Sequence, residues 1–74
     1  MADRTQFHVV PRGDRWEVES AGKSVSSHHW QQAAIDDARE RARQAVPAQL
    51  LIHGQDGRIE REATYGDDPS PPRG

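Results

Sequence analysis

Residues 31–46 read QQAAIDDARERARQAV, and this stretch decides the fold. Ala34, Ile35, Ala38, Ala42, Ala45 and Val46 recur at helical spacing and share one side. Asp36, Asp37, Arg39, Glu40, Arg41 and Arg43 fall mainly on the other. Asp37 precedes Arg41 by one turn, the favourable order, worth about 0.2–0.5 kcal/mol. The apolar stripe is mostly alanine. It lets a sheet approach closely but buries little area, so Ile35 and Val46 are expected to contribute most of its apolar burial. Pro47 ends the helix because it disfavours helical geometry in the residue before it. At the start, Trp30 stands where Ser, Thr or Asp would cap best, which leaves Ser26 or Ser27 as the nearby hydroxyls.

Outward from the helix, everything reads as short strands. Residues 7–10 form an apolar run that ends at Pro11, and Arg12-Gly13-Asp14 is turn chemistry. In residues 15–20, Trp16 and Val18 alternate with Glu17 and Glu19, the pattern of a half-buried strand that pairs with the first as a hairpin. After Ala21-Gly22-Lys23, residues 24–28 make a third strand with Val25 inward. Beyond the helix, residues 49–53 hold Leu50, Leu51 and Ile52. Asp56-Gly57 then signals a hairpin into residues 58–65, where Ile59, Arg61, Ala63 and Tyr65 share a face. Trp16, Val18, Leu50 or Leu51, Ile52, Ile59 and Ile35 are the expected core. Residues 67–74 (DDPSPPRG) are too rich in proline to build a packed element and read as a flexible tail on a single domain of residues 1–66. The expected fold is α+β: a mainly antiparallel sheet in the order β-β-β-α-β-β, with one helix on one face and the other face open.

Composition bounds function. The chain has 74 residues, of which 32% are hydrophobic, so its core is thin and a partner subunit would help. There is no cysteine, which excludes disulfides and thiolate metal sites. A net charge of −2 argues against a strong general attraction to nucleic acid or anionic membrane. The opening MADRTQ has no apolar run, so no export signal or membrane span is expected, and the cytoplasm is the expected compartment.

Several motifs recur together. HVVP at 8–11, WEV at 16–18, SSH at 26–28, QxxAI at 31–35, ARE at 38–40, IHGQDGRI at 52–59 and YGDDPSPP at 65–72 stand in that order. In this the chain resembles domain-of-unknown-function family 2188, which consists of small, single-domain bacterial proteins. The resemblance runs from about residue 7 to residue 72. It implies no activity and lends no catalytic residue. The family usually has Thr and Glu where this chain has Trp30 and Ala33, a pair that reads as a capping box. Its absence here implies a weaker helix start, or a cap from Ser27.

The residues themselves give no strong chemical signature. The four histidines, His8, His28, His29 and His53, match no familiar metal spacing, so no metal or other cofactor is expected. Ser26, Ser27, His28 and Asp36 are the residue types of a nucleophilic site, but no strained nucleophile turn or glycine-rich oxyanion loop accompanies them, and no catalytic residue is assigned. Gly54-Gln55-Asp56-Gly57 lacks the lysine of a phosphate loop and the ligands of a calcium loop. Arg39, Arg41, Arg43, Arg58 and Arg61 are interleaved with Asp36, Asp37, Glu40, Glu60 and Glu62, the pattern of a solvated mixed-charge face. The leading expectation is a non-catalytic binding or structural module that forms a homodimer or takes another protein partner. Val10, Trp30, Tyr65 and Arg61 are its candidate interaction residues. A nucleic-acid-binding accessory protein is the alternative.

Overall fold

The computed structural model describes residues 4–66, so the expected tail lies outside the described residues. Five strands and one helix follow the expected α+β order: β1 (Thr5–Arg12), β2 (Arg15–Ser20), β3 (Lys23–His28), α1 (Gln31–Gln44), β4 (Ala48–His53) and β5 (Ile59–Tyr65). Across the sheet the strands run β3-β2-β1-β4-β5. Three pairings are antiparallel and one, β1 with β4 at the centre, is parallel. The parallel pair follows from the helix: crossing back over the sheet returns the chain in the direction of β1. β1 is longer than expected and includes Pro11. Proline is tolerated there because the ladder with β4 stops at Val9↔Ile52, so no partner on that side needs its missing N–H.

The core lies between the helix and one sheet face. Ala34, Ile35, Ala38 and Ala42 meet Phe7, Val9, Trp16, Val18, Ala48, Leu50 and Ile52, all buried. The three helix alanines are fully buried, so the helix backbone rides close to the sheet, while Trp16 and Phe7 supply the bulk. Full burial of a Val, Leu or Ile side chain stabilises by about 1.5–3 kcal/mol, and Val9, Val18, Ile35 and Leu50 are the largest that reach it. The helix packs chiefly on β1, β2 and β4 and less on β3, so β5 lies at the margin of its cover.

Three positions expected to face inward are corrected. Val46 is half exposed, because the helix stops at Gln44 and Ala45 caps it with its N–H on the Ala42 carbonyl, 3.2 Å away. Ile59 is also half exposed. Arg61 pairs with Ile52 but Ile59 pairs with His53, so Glu60 is a bulge that turns Ile59 away from the face of Arg61. Val25 is the extra residue of a second bulge, between Val18↔Ser26 and Glu19↔Ser24, and points outward for the same reason. Leu51 is buried but stands outside the core cluster, on the helix-free face.

The turns match their residues. Gly57 adopts a left-handed φ of 84°, its N–H donates to the Gly54 carbonyl, and the Asp56 carboxylate accepts from the Arg58 N–H. The helix start is uncapped by any side chain, as its sequence implied. Ser27 does not serve, since its hydroxyl faces Arg15 and accepts from the Arg15 Nε–H at 2.9 Å.

Candidate functional site

Two polar clusters form, one on each face of the sheet. On the helix face, the β3 bulge turns Ser26 and His28 toward α1. There they meet Asp37, not Asp36, whose carboxylate accepts from Gln32 instead. Ser26 Oγ lies 2.6 Å from Asp37 Oδ2 and 3.0 Å from His28 Nε2, and the same Nε2 is 3.4 Å from Asp37 Oδ2. Arg41 Nε donates to Asp37 Oδ2 at 2.8 Å. The carboxylate can only accept, so the serine hydroxyl donates to it and Nε2–H donates to the serine. A nucleophilic relay needs the imidazole to accept from the serine and to reach the acid through its other nitrogen. Here one nitrogen faces both, so the cluster acts as a clamp between β3 and the helix. Burial pushes the Asp37 carboxyl up, but Ser26, Arg41 and His28 together outweigh it and hold the carboxyl below its usual range.

On the helix-free face, β1 and β4 bring His8 and His53 together. His8 pairs in register with Leu51, and His53 follows two residues on, so both rings project from the same side. His8 Nδ1 is 3.1 Å from His53 Nε2, and the ring centroids are 5.3 Å apart. His53 Nδ1 is 2.9 Å from the Gly57 carbonyl. A carbonyl only accepts, so His53 carries its proton on Nδ1 and presents the lone pair of Nε2 to His8. Burial, then the neighbouring His53, lowers the His8 pKa, while Glu19 opposes them. The pair borders an open depression of about 410 Å³, lined also by Gln6, Val10, Glu19 and the turn at residues 20–22. Polar side chains fill the rest of this face. Gln6 bonds Gln49, Gln49 bonds Glu62, and Arg12 holds Glu19 at 2.7 Å and Glu17 at 3.7 Å.

The four candidate interaction residues do not share a surface. Val10 is on the helix-free face, paired with Glu17. Tyr65 and Arg61 project to the helix side, since their partners Ala48 and Ile52 are core residues, and Tyr65 packs against that core. Trp30 is 72% exposed at the helix start, beside His29. The histidine pair was invisible to spacing because its members are 45 residues apart in the chain. Among the described residues, no three His, Cys, Asp or Glu side chains converge as a metal cluster. No helix among them is long and apolar enough to cross a membrane.

A family model described as an uncharacterized protein conserved in bacteria (DUF2188) covers residues 7–65. No curated protein and no solved structure matches the chain.

Proposed function

The chain belongs to the DUF2188 family of bacterial proteins, and on that premise we propose that it is a small non-catalytic module that works by binding through the helix-free face of its sheet. The observation that carries this reading is the depression around His8 and His53, the concave part of the sheet face opposite the helix. The first partner we assign is a second copy of the chain. The face sets Val10 among glutamines, histidines and paired charges, a composition suited to a reversible dimer and not to an obligate one. Support for a nucleic-acid role is weaker. Arg12, Arg41, Arg43 and Arg58 each sit on a carboxylate of their own chain. The compartment in this reading is the cytoplasm, and recovery of the native protein from a membrane or periplasmic fraction would overturn that.

Sedimentation velocity from low to high micromolar concentration tests the dimer. The wild type should move from monomer toward dimer. Val10→Lys should remain monomeric at the same melting temperature, because the new ammonium faces Glu17 across the strand pair. A wild type that stays monomeric throughout would remove the second copy as partner.

A further inference from the structure

We infer that His8 and His53 form a two-imidazole site for a divalent transition-metal ion of the zinc or copper class. The sequence spacing argued against a histidine metal site; the register of β1 on β4 supplies the pair. Imidazole nitrogens bind such ions at about 2.0–2.1 Å, so two of them stand about 3.3 Å apart on a tetrahedral ion and about 2.9 Å apart on a square-planar one. His8 Nδ1 and His53 Nε2 stand 3.1 Å apart already. The ring centroids, 5.3 Å apart, set the rings nearly head-on as in a hydrogen bond, so each ring turns by roughly 40° to aim its lone pair at an ion that would subtend an angle of about 100°.

The surroundings fit ligation. His53 donates its other ring N–H to the Gly57 carbonyl, the orienting contact that metal-ligating histidines usually make. Both ligands stand on central strands joined in register, which fixes their separation better than loops would. Neither needs to lose a net proton. His53 holds its Nε2 lone pair toward His8 Nδ1, and an ion takes the place of the bridging proton once that proton moves to His8 Nε2. The depression leaves the remaining coordination positions to water or to a small exogenous ligand. Glu19 is not counted as a donor, because Arg12 already holds its carboxylate. The site is complete within one chain, so it does not rest on the dimer.

The experiment uses tag-free full-length protein, stripped with chelator and titrated with zinc chloride by calorimetry, with histidine ring NMR as the second readout. The expected result is one ion per chain, with the ring signals of His8 and His53 shifting and those of His29 unmoved. His8→Ala and His53→Ala should each weaken binding by about tenfold or more, and His29→Ala should leave it unchanged. His53→Ala also loses the bond to Gly57, so His8→Asn, which leaves that bond in place, should show the same loss in a protein with wild-type circular dichroism. Absence of binding at high micromolar zinc would overturn the site. So would wild-type affinity in the His8 variants, or loss of binding in His29→Ala.

Discussion

Trp16 shows how much rests on single residues in so small a core. It pairs with Pro11 and His28, reaches beneath the alanine face of the helix and is almost fully buried. Small residues opposite cannot collapse into the space it would leave. Trp16→Ala should therefore cost about 3–5 kcal/mol, enough to unfold a domain of this length, and thermal melting would read it directly. A folded Trp16→Ala protein would refute its place in the core. Asp37 gives the second residue-scale prediction. Its folded pKa is lowered from 3.8, so on acidification the unfolded chain takes up the proton first. The stability this carboxylate contributes is intact above pH 3.8 and is lost as the pH falls through its lower folded value. Denaturant midpoints measured down that range should fall in the wild type, and Asp37→Asn should flatten the acid limb. An unchanged acid limb would mean that the clamp does not report on folding.

At the scale of elements, the helix begins on the wrong residue for its own stability. Trp30 holds the N-cap conformation, φ −120° and ψ 143°, without any side-chain bond to the first turn, and exposes most of its ring. Trp30→Ser would supply the missing acceptor at little loss of burial and should stabilise the protein by about 1 kcal/mol. A lower melting temperature in that variant would show that the indole makes a stabilising contact. The helix, the Asp-Gly hairpin and the alternation around Trp16 were all legible, because periodicity and turn chemistry are local signals. The bulges were not. One unpaired residue, Val25 in β3 or Glu60 in β5, leaves each strand's composition intact while reversing which side chains face the helix. Hence alternation alone places Ile59 and Val25 inward and gives no sign that Ser26 and His28 meet Asp37.

For the molecule as a whole, what stayed hidden was pairing between distant segments. The sequence contains both histidines, but only the parallel registry of the first and fourth strands makes them neighbours. The same registry decides which residues share the helix-free face: the helix must lie over Phe7, Val9, Leu50 and Ile52, which leaves His8, Leu51 and His53 to the opposite side. That central pairing also has a consequence in time. The strands β1 to β3 can assemble as a local meander, and β4 with β5 as a local hairpin, but the sheet is whole only when Thr5 meets Ala48 and Val9 meets Ile52. Closing so long a loop is entropically costly and slow compared with helix or hairpin formation. On a ribosome, the meander of β1 to β3 would emerge first, with the edge of β1 that β4 later covers still unpaired.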